Sequence, residues 1–232
     1  MYIFFDVDGT LVDYEAAEKT AALQFLDNFS GVLPFEREAF ASLWHDLMTK
    51  HYARFLAGEI DWAGQRRSRI QELFQFAHQP VTDETADRYF EIYRAYHEAN
   101  WQLFSDVIPA LDALKEQRLG IITNSNLAYQ TEKLKRLGIL DRFEWLVASE
   151  QVGVAKPDPA IFIEACRRAQ TEPSESIYIG DDLEKDAVAS QAAGLRGIWL
   201  NREVDLPHPS HVVMMRDLRE LAGMISRRTP QC

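Results

Sequence analysis

The stretch Tyr2-Ile3-Phe4-Phe5-Asp6-Val7-Asp8-Gly9-Thr10-Leu11 decides how the chain is read. Four consecutive apolar residues describe a strand buried on both faces. That strand runs directly into two carboxylates spaced i, i+2, followed by Gly-Thr. An ionised carboxylate at the end of an apolar strand is costly unless a cation or dense hydrogen bonding compensates it. In an extended chain Asp6 and Asp8 point the same way, and in a turn they can converge on one metal or one substrate. Asp-Gly alone reads as an ordinary turn; the full Asp-Xaa-Asp-Gly-Thr at a strand end asks for more.

The 232 residues suffice for a sizeable core in one domain or two. Hydrophobic content of 47% with 26% charged residues is that of an ordinary globular protein. A net charge of −11 repels polyanions, so neither a nucleic-acid polymer nor an anionic membrane is expected as partner. A small phosphorylated metabolite remains compatible, because a metal and one lysine reverse the potential locally. No apolar run is long enough to span a bilayer. The N-terminus has no basic n-region or cleavage site. The two cysteines, Cys166 and Cys232, suggest no disulfide framework. A cytoplasmic location is the simplest expectation.

From Tyr14 to about Asn100 the strand signal disappears. Phe40, Leu43, Trp44, Leu47, Met48 and Phe55 follow the spacing of a helix buried along one face, as do Ile70, Leu73, Phe74 and Ala77, and then Ala86, Tyr89, Phe90 and Tyr93. Breaks near Ser30-Gly31, Ala57-Gly58 and Gln79-Pro80 divide the region into about four helices, and Thr82 suits an N-cap. Aromatic residues at this spacing read as core. Arg66, Arg67 and Arg69 form a basic cluster in an acidic chain, either a solvated helix face or cations aimed at a substrate.

Beyond Asn100 helix and strand alternate. Helices are expected over Asp106–Gln117, Leu127–Leu137, from Asp158-Pro159 onward, and over Leu183–Ala193. Strands are expected at Leu119–Ser125, Trp145–Ala148, Ile177–Gly180, Gly197–Leu200 and His211–Met215, with a frayed tail after Ser226. The fold class is therefore α/β, a parallel sheet with helices on both faces. Ligands of such sheets bind beyond the carboxyl ends of the strands. Three strands here end in groups suited to chemistry: Asp6-Val7-Asp8, Thr123-Asn124 and Gly180-Asp181-Asp182.

The set resembles the haloacid dehalogenase (HAD) superfamily. Asp6 and Asp8 match its first motif, Thr123 the second, Lys156 of Val154-Ala155-Lys156-Pro157 the third, and Gly180-Asp181-Asp182-Leu183-Glu184-Lys185-Asp186 the fourth, acidic motif. The resemblance implies a HAD-like Rossmannoid core over 1–14 and 101–232, with an α-helical cap of the class I type over 15–100. It implies a nucleophile at Asp6, and at Asp8 an acid–base that is protonated when substrate binds, through crowding of carboxylates. It implies Mg²⁺ held by Asp6, the Asp8 carbonyl and Asp181. Lys156, Thr123 and Asn124 would take the phosphoryl oxygens. Many relatives carry Ser or Thr at the position of Asp182, leaving it either a supporting partner of the site or a solvated charge. Asp186 would orient Lys156 or a metal-bound water.

The activity implied is a Mg²⁺-dependent phosphatase acting on a small phosphomonoester through an aspartyl-phosphate. A sugar-phosphate mutase would keep all four motifs. A hydrolytic dehalogenase would share the fold, but dehalogenases of this type lack an acid two residues after the nucleophile. A non-catalytic binding module would leave the intact motif residues without purpose. Substrate choice would fall to the cap, with Arg66 and Arg69 as the candidate specificity residues.

Overall fold

The computed structural model describes residues 1–202 and 209–226, so the tail beyond Ser226, with Cys232, lies outside the described residues. The chain divides into two compact units, one formed by Met1–Asp13 with the chain from Gln102 onward, the other by Tyr14–Trp101. No helix among the described residues is long and apolar enough to cross a membrane.

The first unit is a six-stranded parallel sheet. Its strands are β1 (Tyr2–Phe5), β2 (Arg118–Thr123), β3 (Trp145–Ala148), β4 (Ser176–Gly180), β5 (Arg196–Leu200) and β6 (Val213–Met215), in the order β3-β2-β1-β4-β5-β6. β1 is central, and all four of its residues are fully buried. Alternation divides them: Ile3 and Phe5 pack with Ile121, Ile177, Ile179 and Leu111 on one face, Tyr2 and Phe4 with Ile122, Tyr178 and Phe162 on the other. The chain works outward from β1 to β3 and then crosses back to β4, which places the topological switch beside the end of β1.

In the same unit lie α5 (Val107–Ala113), α6 (Leu127–Arg136), α7 (Ser149–Val152), α8 (Pro159–Arg168), α9 (Ala189–Ala192) and α10 (Glu220–Ser226). α6 starts on an Asn126 cap and ends before Gly138, whose φ of 72° closes the helix in the left-handed region. Asp158 caps α8 ahead of Pro159, as its sequence indicates. Three expectations change. The helix expected from Asp106 to Gln117 ends at Ala113, the Leu114 amide donating to the Ala110 and Leu111 carbonyls and the Gln117 amide closing a turn on Leu114. The last strand covers Val213–Met215 only. The segment after Asp182 opens as a π-helical turn, Leu183–Val188, before α9. Such turns concentrate at functional sites.

The second unit is four helices, α1 (Tyr14–Asn28), α2 (Arg37–Leu56), α3 (Trp62–Phe76) and α4 (Asp83–Ala99), separated at the three breaks expected from sequence. Phe25, Phe40, Trp44, Phe74, Phe90 and Tyr93 are buried in its core. Arg67 ties α3 to α4 through Asp83 and Asp87. Thr82 caps α4 by accepting from the Thr85 amide. Thr82→Ala should therefore destabilise the protein by about 1 kcal/mol in urea titration, whereas an unchanged midpoint would show that the cap contributes nothing.

Candidate active site

The carboxyl ends of β1, β2 and β4 bring the chemistry together. The Asp6 amide donates to the Ile179 carbonyl at 2.8 Å, continuing the β1–β4 ladder one residue past the strand. The chain then turns sharply, with Leu11 and Val12 amides both donating to the Val7 carbonyl at 2.9 Å. Gly9 permits this at φ 89°, and a Cβ there would meet the Asp181 carboxylate at 2.2 Å. Gly180 serves a similar end: a Cβ on it would lie 2.2 Å from Asp186. Two glycines thus leave room for two carboxylates.

Carboxylate oxygens of Asp6, Asp181 and Asp186 all lie within 4.8 Å of one another. Lys156 sits among them, its Nζ donating to Asp6 Oδ1 at 2.6 Å and to Asp186 Oδ1 at 2.7 Å. Its third donor goes to the Tyr178 hydroxyl at 2.7 Å. Asp186 also accepts from Tyr178 at Oδ1 and from the Asp182 amide at Oδ2. Thr10 donates to Asp181 Oδ1 at 3.1 Å.

Burial, with Asp186 and Asp181 nearby, pushes the Asp6 carboxyl well above its ordinary value despite Lys156. Burial and Asp186 push Asp181 up to about 6. Burial alone would favour a neutral amine at Lys156, but Asp186 and Asp6 outweigh it and hold the ammonium charged. The cluster carries more negative charge than one lysine neutralises.

The other expected residues fall in distinct places. Asp6 and Asp181 crowd together with Asp186. Asp8 faces α6, accepting from Lys133 Nζ at 2.6 Å and from Gln130 Nε2 at 2.8 Å. Thr123, buried at the end of β2, is reached by the same Gln130 amide at 3.3 Å. The side chain of Asn124 clamps the main chain of Lys156, donating to its carbonyl at 2.8 Å and accepting from its amide at 2.7 Å. Asn124 therefore fixes the lysine loop, and its side chain is already committed there rather than turned to phosphate. Asp182 supports the site through its amide, which donates to Asp186 Oδ2 at 3.0 Å. Its carboxylate caps the π-helical turn, accepting from the Glu184 and Lys185 amides and from Lys185 Nζ. Arg66 and Arg69 belong to α3 of the helical unit.

Sequence reading passed over Tyr178, Gln130 and Lys133. Tyr178 is one aromatic residue between two isoleucines, and Gln130 and Lys133 differ from surface residues only by their i, i+3 spacing on α6.

The raised pKa of Asp181 has a consequence for the metal-free protein. Its carboxyl is ordinary near 3.8 when unfolded and titrates near 6 when folded, so between these values the folded state binds more protons. Stability then falls as pH rises through that window, and the loss is complete above it. In chelator, urea titration should show wild type losing stability relative to Asp181→Asn from about pH 4 to about pH 6. A difference independent of pH would contradict the shift.

The haloacid dehalogenase-like hydrolase family profile matches residues 1–194. The chain is 42% identical to the glyceraldehyde 3-phosphate phosphatase of Methanopyrus kandleri over 47% of this chain and 48% of that protein. It spans about half the length of the curated relatives matched at this level. Among solved structures, the putative HAD-hydrolase YfnB of Bacillus subtilis superimposes with a TM-score of 0.80 at 24% identity, over 97% of each chain. A 2-haloacid dehalogenase of Pseudomonas syringae pv. tomato is 28% identical with a TM-score of 0.69, over 97% of this chain and 98% of that one. With four motif segments gathered at the ends of a central parallel sheet and the family profile matched across 194 residues, the chain belongs to the haloacid dehalogenase-like hydrolases.

Proposed function

We propose that the protein is a Mg²⁺-dependent phosphatase that hydrolyses a small phosphorylated metabolite through an aspartyl-phosphate on Asp6, in the cytoplasm. One observation carries the reading: a second carboxylate, Asp8, follows the nucleophile by two residues and is held in the site by Lys133 and Gln130. Attack on phosphorus with an alkoxide leaving group needs such an acid; displacement of halide from carbon does not. The phosphatase named among the relatives supports the same choice.

The donors fit a hard cation. They are all oxygen, and three carboxylates share one ammonium, Asp186 already accepting from Lys156, Tyr178 and the Asp182 amide. Asp6 and Asp181 would hold the ion, joined by the Asp8 carbonyl if the family arrangement holds. Bound Mg²⁺ would supply charge neutralisation between carboxylate and phosphate and orient the phosphoryl group.

The chain's own residues account for the rest. A carboxylate oxygen of Asp6 attacks phosphorus, and Lys156, charged and adjacent, offsets the negative charge of the transferring group. Thr123 donates to a phosphoryl oxygen. Asp8 gives a proton to the departing oxygen and then takes one from the water that hydrolyses the acyl phosphate. Asn124 keeps Lys156 in register through its main chain.

All of these groups act on the phosphoryl end, so choice among leaving groups falls to the helical unit as a cap, with Arg69 foremost. Arg69 is 6% exposed, its guanidinium 5.0 Å from the Phe90 ring and 5.7 Å from Trp44, and its Nε has no acceptor among the described residues. A buried guanidinium donor left without an acceptor is costly and suits an arriving polar ligand. Arg66, 4.7 Å from the Trp62 ring, is its neighbour on α3, while Arg67 is spent on Asp83 and Asp87.

Wild type with Mg²⁺ should release inorganic phosphate from members of a phosphomonoester panel and lose that activity in EDTA. Folded Asp6→Asn should release none. Phosphate release at the wild-type rate by Asp6→Asn would remove the assignment, full activity in excess chelator would bring the dehalogenase reading forward, and isomerised substrate without free phosphate would indicate a mutase. Arg69→Ala should raise KM for the best panel substrate more than for nitrophenyl phosphate, with kcat largely kept. An unchanged ratio of the two kcat/KM values would leave Arg69 as a core residue.

A further inference from the structure

We infer that Lys133 and Gln130, on one face of α6, are positioning residues that hold the Asp8 carboxylate in the orientation proton transfer requires; this rests on Asp8 being the acid–base. Lys133 is the less expected of the two. Its neighbours Lys135 and Arg136 are exposed at the same helix end, yet Lys133 is 1% exposed and among the largest fully buried side chains. Burying an ammonium on a long flexible stem is costly unless a precise partner receives it. The partner is Asp8 Oδ1, 125 residues away in sequence and 2.6 Å away in space.

Gln130 supplies the second hold. It is completely buried, and its Nε2 donates to Asp8 Oδ2 at 2.8 Å while also reaching Thr123 Oγ1 at 3.3 Å. Its Oε1 has no partner among the described residues. An unpaired buried acceptor destabilises the fold, so the amide's orientation is set by the carboxylate, which accepts from N–H and repels C=O. Gln130 therefore gives up one hydrogen bond to fix Asp8.

With both oxygens held, the carboxylate cannot rotate without breaking an interaction on each side. Gln130 also links Asp8 to Thr123, tying the proton-transfer group to a hydroxyl that the proposed reaction places on the phosphoryl group. A purely structural lysine would neutralise charge without favouring one chemical step.

The test is a double-mutant cycle of Lys133→Met with Asp8→Asn, with Gln130→Leu as a second, uncharged change and thermal melts to confirm folding. Lys133→Met should lower kcat by about 10²-fold, the scale of a displaced catalytic group, with KM little altered. The loss should be greater for an alkyl phosphate than for nitrophenyl phosphate, and Lys133→Arg should restore part of it. In the Asp8→Asn background, followed on nitrophenyl phosphate, Lys133→Met and Gln130→Leu should have no further effect. Losses that multiply in full with Asp8→Asn, or equal losses for both leaving groups, would overturn the inference while leaving Asp8 as the acid–base. Wild-type activity in Asp8→Asn itself would remove the acid–base reading and the inference together. Should Lys133→Met not fold, Gln130→Leu decides by the same criteria.

Discussion

One ammonium organises the site. Lys156 Nζ lies 2.6 to 2.7 Å from oxygens of Asp6, Asp186 and Tyr178, so it joins the end of β1 to the end of β4 and the helical turn beyond it. Without it three carboxylates would repel one another in a buried space, and Asp6 and Asp186 would have no common counter-charge. The remaining features follow from placing it. Asn124 clamps its main chain, the Tyr178 hydroxyl accepts its third hydrogen bond, and Gly180 leaves the gap that Asp186 fills. The site still holds surplus negative charge, and that surplus is what suits it to a divalent cation.

A second, separate pairing engages Asp8, the acid proposed to transfer the proton. Lys133 and Gln130 donate to Asp8 while Lys156 donates to Asp6, so two acids spaced i, i+2 have different partners. Asp6 stands among like charges and one lysine; Asp8 stands against a cation and an amide. Divergent environments for neighbouring acids are how one site separates nucleophilic from proton-transfer roles.

Much of this was legible in the sequence. An apolar run ending in Asp6-Val7-Asp8-Gly9-Thr10 specifies a buried strand and a sharp turn, because few other environments tolerate that order. The four helices and their breaks follow from periodicity and from Gly and Pro positions, and Thr82 and Asp158 were visible as caps. What could not be read depends on partners distant in the chain. Lys133 looks like any helix-surface lysine until α6 brings it to Asp8, and Tyr178 looks apolar until Lys156 arrives. Asp182 carried an acid where relatives often have Ser or Thr, which invited a role in the chemistry. It serves instead as an N-cap, a role that all of these residue types fill. The π-helical turn was unreadable because the segment Leu183–Val188 is too short for a shift in hydrophobic period to show.

The central claim is that Asp6 carries the phosphoryl group in turnover. Acid quench of the enzyme during turnover of its best phosphomonoester, followed by borohydride reduction and peptide mass spectrometry, reads it directly. The account predicts that the β1 peptide is reduced at Asp6, to homoserine, only when substrate and Mg²⁺ are both present. Phosphate released at the full rate with Asp6 unmodified at every quench time, and a second aspartate labelled in its place, would contradict it.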